Sequence, residues 1–196
     1  HEAAHLPLHS PDQCLEAAAD YWALGQLAGL TGRKQEAGKW TLRGEQVFDS
    51  VWTKEFQHID STYTRMRGNG LYQGTRWQYR WGAPMYLSRM ERLVGRQELL
   101  AQLEQFFRDE LYNQGNEPVV RSLATGVVTH RYGGNDAYPQ PFVGKAFDNQ
   151  PRGYCPEMDE DDGAMSAWYV FASIGLYPVV VGEATYELFP PLFSRI

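Results

Sequence analysis

The chain has 196 residues, which is long enough for one domain with a substantial hydrophobic core. Its formal net charge of −6 and pI near 5.4 argue against nucleic acid or an anionic membrane surface as the main partner. No apolar run is long enough to span a membrane, and Cys14 and Cys155 permit at most one disulfide. Aromatic residues make up 14% of the chain. Such rings serve equally well as core filler and as stacking surfaces for sugars.

The first predicted element is a helix that begins near Ser10. Ser10 is placed to cap the helix, Pro11 lies in its first turn, and Gln13 is positioned to complete a capping box. The apolar period predicts that the helix ends at Gly29 or Gly32. The residues predicted to form its buried stripe are Leu15, Ala19, Trp22 and Leu30.

A second helix is predicted from Lys34 to Trp52. A short glycine-containing turn joins the two helices, so we expect them to pack antiparallel. The residues predicted on its inner side are Trp40, Val47, Phe48, Val51 and Trp52.

The middle of the chain predicts a loop and a second helical pair. Residues 56–71 have mixed polarity and no helical period, which indicates a loop. After the segment 72–81, a helix to Val94 is predicted with Pro84 in its early part, and Gly95 should end it. The return helix is predicted over residues 97–112. Its inward residues should be Leu99, Leu100, Leu103, Phe106 and Phe107.

The last third predicts further helices followed by strands. A helix is expected over 119–130, one or two helical turns around 143–148, and an apolar helix over 164–176. Two β-like runs follow, at 179–181 and 186–189. Two short strands alone are not stable, so we expect the chain to be part of a larger protein.

Directly before the apolar helix, five acidic residues occupy six positions, 157–162. Crowded like charges raise one another's pKa values, so this run needs an explanation. It is compatible with a capped helix start that carries surplus surface acid. A calcium loop is a second interpretation, although no acid stands at the closing position of an EF-hand after Gly163. The third is a catalytic carboxylate pair, Asp159 and Asp161, whose spacing lets both side chains point the same way.

Three segments of the chain carry a resemblance to a known family. They are Gln73-Gly74-Thr75-Arg76-Trp77-Gln78-Tyr79, Gly115-Asn116-Glu117-Pro118, and the block from Asp159 to Phe171 with its continuations Gly175-Leu176-Tyr177-Pro178 and Pro191-Leu192-Phe193. In this order they resemble the catalytic domain of glycoside hydrolase family 92. The family's members are calcium-dependent exo-α-mannosidases that invert the anomeric centre.

The resemblance implies a mainly α fold that is part of an (α/α)6 barrel built of helical hairpins, with short β-strands at the C-terminus. Residues 1–178 would form the C-terminal portion of the barrel, and residues 179–196 the start of a β segment that leads out of it. An N-terminal β-sandwich domain and the remaining barrel helices are expected upstream. The resemblance also implies a secreted, periplasmic or cell-surface location.

The family's functional residues carry over onto named positions of this chain. Asp161 would be the general base that activates water, with Asp159 as its partner. Calcium would be the cofactor, with Asn116 and Glu117 as candidate ligands. The residues implied to bind the mannose-containing substrate are Trp77, Gln78, Asn116, Glu117 and Arg76.

The chain departs from the family at the general acid, because the family's glutamate is replaced by Gln73. An amide cannot give up a proton, so the leaving group would have to be one that needs none, such as a phosphate, which Arg76 could pair with. Alternatively, Glu117 supplies the proton to an ordinary α-mannoside, or the protein binds mannose without cleaving it. The family's histidine pair after Pro118 is also absent, since residues 119–121 are Val-Val-Arg.

The sequence therefore predicts a glycosidase that releases terminal α-mannose with inversion from mannose-1-phosphate diesters, such as mannosyl-phospho-mannose on glycans. The alternative enzyme is an ordinary exo-α-1,2-mannosidase acting on N-glycans or mannans. The alternative from another class is a non-catalytic, calcium-dependent mannose-binding module.

Overall fold

The computed structural model describes residues 10–59, 70–109, 111, 163–188, 191 and 193. The chain divides into two compact units, His1–Leu93 and Val94–Ile196. The described part is mainly helical, as the sequence predicts. Its helices are α1 (Pro11–Leu30), α2 (Lys34–Glu55), α3 (Arg76–Tyr79), a 3-10 helix (Pro84–Tyr86), α4 (Leu87–Val94), α5 (Arg96–Arg108) and α6 (Ala164–Ile174), and its strands are β1 (Leu176–Tyr177) and β2 (Glu187–Leu188).

The start of α1 is confirmed, but its predicted capping box is wrong. Ser10 is the N-cap residue and Pro11 opens the first turn, yet the Ser10 side chain makes no capping hydrogen bond. Instead, the Asp12 carboxylate in the first turn is buried, where it accepts a hydrogen bond from the backbone N–H of Tyr72. The carboxylate in the first turn of α1 therefore makes a long-range contact with the segment before α3.

Helices α1 and α2 pack antiparallel, as predicted, and small residues let them approach closely. A Cβ atom added at Gly25, late in α1, would lie 3.2 Å from the backbone nitrogen of Thr41, early in α2. One added at Gly44, later in α2, would lie 3.0 Å from the carbonyl oxygen of Ala18. The contact between the two helices therefore depends on positions without a side chain.

The residues buried between α1 and α2 differ in part from those predicted. On α1 the buried face passes through Leu15 and Ala18, whereas Ala19 and Trp22 are only partly buried and Leu30 is 87% exposed. The spacing of apolar residues favoured large side chains such as Trp22 and Leu30 for the buried face. Where two helices approach closely, small residues such as Ala18 and Gly25 are buried instead. On α2 the residues Phe48, Val51 and Trp52 are buried as predicted, and Trp40 and Val47 are partly exposed.

Two glycines of α2 should respond in opposite directions to alanine. Gly44→Ala should destabilise the protein by about 1–3 kcal/mol, because the new methyl group would overpack the contact with Ala18 and Tyr21. Gly38→Ala should stabilise it by about 0.4–1 kcal/mol, because Gly38 is exposed and a Cβ atom there meets nothing within 4 Å. Denaturant unfolding of both variants measures the difference. Equal effects would mean that α1 and α2 do not meet at Gly44.

The hydroxyl group of Tyr86 joins the 3-10 helix to α1. It donates a hydrogen bond of 2.8 Å to the carbonyl oxygen of Ala18, and its ring stacks on Phe48 with centroids 4.5 Å apart. Burial raises the pKa of Tyr86 to about 12, so the phenol stays protonated and able to donate at neutral pH. In α4, Arg89 binds Asp49 of α2 through two nitrogens, at 2.5 and 2.6 Å. These contacts attach the 3-10 helix and α4 to the first helical pair.

The stretch before α4 is more broken than the sequence predicted. Helix α3 lies within the segment 72–81, for which no element was predicted. The predicted helix to Val94 begins as a 3-10 helix at Pro84, which runs directly into α4. A proline cannot donate the backbone hydrogen bond that a helix interior needs, which accounts for the interruption.

The second unit contains α5 and α6, whose starts are confirmed. Gly95, with a φ of 83°, precedes α5. Helix α5 ends at Arg108, four residues earlier than predicted. It buries Leu99, Leu103, Phe106 and Phe107 as predicted, while Leu100 is partly exposed. Helix α6 lies between Gly163 and Gly175, both left-handed, and buries Met165 and Trp168.

Strands β1 and β2 form an antiparallel pair in which Leu176 faces Leu188 and Tyr177 faces Glu187. The predicted run at 186–189 is confirmed over Glu187–Leu188, but the predicted strand at 179–181 is wrong. Residues 179–181 instead form bends and a turn, because the partner of β2 is the short segment just before Pro178. Phe171 of α6 covers this hairpin, with ring centroids 6.1 Å from Tyr177 and 6.2 Å from Tyr186.

The helices predicted at 119–130 and 143–148 lie outside the described residues, and the predicted boundary near residue 178 stays a prediction. Within the part of the chain that the structure describes, no helix combines the length and apolarity that crossing a membrane requires. Cys14 is a free thiol, whose pKa is raised by burial and by the charge of Asp12.

Candidate active site

The described part of the candidate site is the turn that precedes α3, and its first anchor is Tyr72. The backbone N–H of Tyr72 donates a 3.0 Å hydrogen bond to the Asp12 carboxylate of α1. Its carbonyl oxygen accepts a 2.6 Å hydrogen bond from the hydroxyl group of Tyr79 in α3. Tyr72 is therefore held from both sides, and the next residue along the chain is Gln73.

Gln73 has an uncommon backbone conformation. Its φ of 46° makes it the single non-glycine residue with a positive φ among those the structure describes. Such a conformation is costly for a residue with a Cβ atom and persists where neighbouring contacts impose it. Gly74 follows, and a Cβ atom there would come within 2.5 Å of the Tyr79 ring. The turn is thus closely packed on α3, and the partly exposed Gln73 side chain leaves from a constrained position.

A capping box begins α3. The Thr75 hydroxyl oxygen accepts a hydrogen bond from the backbone N–H of Gln78, and the Gln78 side-chain oxygen accepts one from the backbone N–H of Thr75. The distances are 3.1 and 2.8 Å. This reciprocal pair satisfies two backbone donors of a four-residue helix that could not stand alone. Gln78 therefore has a structural role that the sequence analysis did not assign to it.

Arg80 fixes the other end of α3. It is fully buried, and its guanidinium group donates hydrogen bonds to the carbonyl oxygens of Phe56 and Gln57, just after α2. The guanidinium carbon lies 4.7 Å from the Trp52 ring centroid and 5.2 Å from that of Trp81. Trp52 returns a 3.1 Å hydrogen bond from its indole N–H to the Arg80 carbonyl oxygen. The segment that carries Gln73 is thus secured to α2 as well as to α1.

Arg76 pairs with a carboxylate of α2. Its Nη2 lies 3.0 Å from Glu55 Oε2, and both side chains are about four-fifths buried. The hydrogen bond from Arg76 lowers the pKa of Glu55, so this carboxylate is ionised at neutral pH. The contribution of the Glu55–Arg76 pair to the free energy of unfolding is fully present above the pKa of glutamate in the unfolded chain. It is lost as the pH falls through the lowered pKa of Glu55 in the folded protein.

Comparison with known proteins assigns the chain to a family. The model of the glycosyl hydrolase family 92 catalytic domain matches residues 7–196. The chain belongs to glycosyl hydrolase family 92. No curated protein sequence matches it.

A solved structure supports the family 92 fold. The chain is similar to a structure described as that of the family 92 glycosyl hydrolase ccman5, with a TM-score of 0.77 and 19% sequence identity. The similarity covers 94% of this chain and 32% of that one. The chain thus spans about a third of the length of this relative, with the mainly helical fold of part of a family 92 catalytic domain.

The predicted site residues fall into two groups. Gln73, Arg76, Trp77 and Gln78 come together around α3, whereas Asp159, Asp161, Asn116 and Glu117 lie outside the described residues. Trp77 and Gln78 are 1% and 0% exposed, so both belong to the inner side of α3. Their contact with sugar, and the meeting of Gln73 with the aspartates, stay predictions.

Sequence reasoning missed the residues that support Gln73. The pattern Thr75-x-x-Gln78 is itself a capping-box signature, so that cap was detectable. The contacts that Asp12 and Tyr79 make with Tyr72 carry no local signature. No group of three potential metal ligands occurs among the residues that the structure describes, and both calcium ligand candidates lie beyond them.

Proposed function

We propose that the full-length protein hydrolyses terminal α-mannosyl linkages with inversion, and that its substrates are mannose-1-phosphate diesters. The observation that carries the proposal is the amide of Gln73 at a constrained turn in a family 92 catalytic domain. By the resemblance, a general-acid glutamate is expected at this position. An amide there can donate a hydrogen bond to a departing oxygen but cannot protonate it.

This chemistry favours a leaving group that is already a weak base. In the proposed step, a water oxygen attacks the anomeric carbon, Asp161 takes the water proton, and the bond between that carbon and the leaving oxygen breaks. The electron pair departs with the leaving oxygen. A sugar alkoxide would need a proton at that moment, whereas a phosphate, with a second pKa of about 6, leaves without one. The neutral Gln73 also avoids repulsion between a carboxylate and the phosphate.

The carboxylate next to α3 does not replace the missing acid. Glu55 is the described carboxylate bound to Arg76, and the hydrogen bond that lowers its pKa keeps it ionised at neutral pH. An ionised carboxylate has no proton to give. A phosphate contact by Arg76 would have to share its guanidinium group with Glu55, and guanidinium groups bind both kinds of anion well.

The remaining roles fall on residues outside the described ranges. Asp161 is proposed as the base and Asp159 as its partner. An inverting mechanism requires about 6.5–9.5 Å between the base and the group opposite it, which leaves room for the attacking water. Asn116 and Glu117 offer the amide and carboxylate oxygens that calcium prefers. Bound calcium would grip sugar hydroxyl groups and favour ring distortion.

The test compares two substrates on the full-length protein with calcium present. We expect release of mannose from an α-mannose-1-phosphate diester and little from α-1,2-mannobiose. Gln73→Glu should reverse this preference, gaining about 10²-fold or more on mannobiose, because a general acid contributes about 10²–10⁴ in rate. Gln46→Glu, an exposed change on α2, is the matched control and should leave the preference unaltered.

Each alternative has its own outcome in this experiment. Cleavage of mannobiose alone by the parent protein would identify an ordinary exo-α-mannosidase and overturn the phosphodiester proposal. Binding of mannose with turnover of neither substrate would identify a binding module. An unaltered preference in Gln73→Glu would show that Gln73 does not face the leaving group.

A further inference from the structure

A buried carboxylate lies at the start of α1, far in sequence from the acidic run at 157–162. Asp12 is 4% exposed, and its Oδ2 accepts the hydrogen bond from the backbone N–H of Tyr72. Its Oδ1 is buried and has no hydrogen-bond partner among the described residues. Burying a carboxylate with one oxygen unpaired is unfavourable. Its burial therefore calls for a role beyond the usual favourable placement of an acid in the first turn of a helix.

The contact joins residues 60 positions apart and ends next to Gln73. Asp12 holds the N–H of Tyr72, and Tyr79 holds its carbonyl oxygen. The carbonyl group of Tyr72 belongs to the peptide unit that enters Gln73, so fixing it constrains the direction in which the Gln73 side chain leaves. The positive φ of Gln73 is a conformation that such outside contacts have to maintain.

We propose that Asp12 is a positioning residue that acts through Tyr72 to hold the Gln73 amide against the leaving group. This inference rests on the proposed function, in which Gln73 donates a hydrogen bond to the departing oxygen. Asp12 itself touches neither substrate nor water in the reaction. Misplacing a reacting group by about 1 Å can cost about 10²-fold in rate, so the support of this turn is expected to matter for turnover.

The first measurement is a double-mutant cycle on the full-length protein. Asp12→Ala should lower kcat by about 10–100-fold with KM little changed, because the contact it supports is made to the departing oxygen. Asp12→Asn retains an acceptor for the Tyr72 N–H and should recover most of this loss. In a Gln73→Ala background, Asp12→Ala should cost little more. If the losses in kcat from Asp12→Ala and Gln73→Ala are additive, Asp12 contributes to stability and does not position Gln73.

The second measurement does not depend on activity. Amide hydrogen exchange in the peptide that contains Tyr72 should speed up at least about tenfold in Asp12→Ala, because one hydrogen bond of the turn is gone. Asp20→Ala, an exposed acid on the same helix, is the control and should leave this exchange unchanged. Unchanged exchange in Asp12→Ala would overturn the inference.

The two measurements separate this inference from the function on which it rests. If the parent protein cleaves ordinary mannosides and not phosphodiesters, the substrate proposal fails, and the cycle is run on the mannoside. If it cleaves neither, the proposed function fails altogether. Exchange at Tyr72 then decides alone whether Asp12 holds the turn.

Discussion

Arg80→Met should destabilise the protein by about 3–5 kcal/mol, since one buried and one partly buried carbonyl group lose a charged donor that a methionine of similar length cannot replace. The carbonyls are those of Phe56 and Gln57, and the flat guanidinium also leaves its place between Trp52 and Trp81. Such a loss lowers the thermal midpoint of unfolding. Calorimetry of the full-length protein measures it.

Two further variants give this prediction its control. Arg80→Lys should be intermediate, because an ammonium group can reach one carbonyl but does not reproduce the planar fork or its stacking. Arg92→Met, an exposed change on α4, should stay within about 0.5 kcal/mol of the parent. If Arg80→Met proves as stable as Arg92→Met, the buried guanidinium does not hold α3 to α2.

Asp161→Asn should lower kcat by about 10²–10⁴-fold, the range expected when a general base is removed. The asparagine keeps the shape of the side chain but cannot take a proton from the attacking water. Because that transfer occurs only in the transition state, KM should change much less than kcat. Steady-state kinetics on the better of the two substrates provides the measurement.

The acidic run supplies its own control for this variant. Glu160 directly precedes Asp161 and has no proposed role in the reaction. Glu160→Gln removes its charge and leaves Asp161 in place. It should cost less than about tenfold, since it changes the local potential without removing a reacting group. Equal losses in both variants would show that the run acts through its summed charge, and would count against Asp161 as the base.

Local sequence signals predicted where many helices begin. Pro11 lies in the first turn of a predicted helix and Gly95 divides two predicted helices, and the structure confirms both. Proline and glycine act through their own backbone preferences, which need no knowledge of the rest of the chain. The family assignment also followed from sequence alone, because its motifs occur in a definite order.

The faces of the helices were harder to predict. Leu30 continues the apolar period of α1 and is nevertheless 87% exposed. Gly44 is buried although a hydropathy pattern gives glycine little weight. Which side of α1 meets α2 depends on how closely the two backbones can approach. That distance is set by Gly25, Gly44 and their neighbours together.

In the candidate site, too, some features were predictable from the sequence and others were not. Sequence motifs placed Gln73 at the predicted general-acid position, but they could not show which contacts fix its backbone. Its capping box had a readable signature at Thr75 and Gln78, whereas the apparent one at Ser10 makes no side-chain cap. The same local pattern was realised at one place and not at the other.

The sequence by itself determined the helical composition, the family, and the identity of the residue at the predicted general-acid position. These depend on residue types and their order. Only the tertiary structure decided which faces are buried and which segment pairs with β2. It also decided that Asp12 accepts a hydrogen bond from Tyr72 and that Arg80 donates to the segment after α2. Such contacts join residues that are distant in the chain, and they form only where packing brings a particular donor to a particular acceptor.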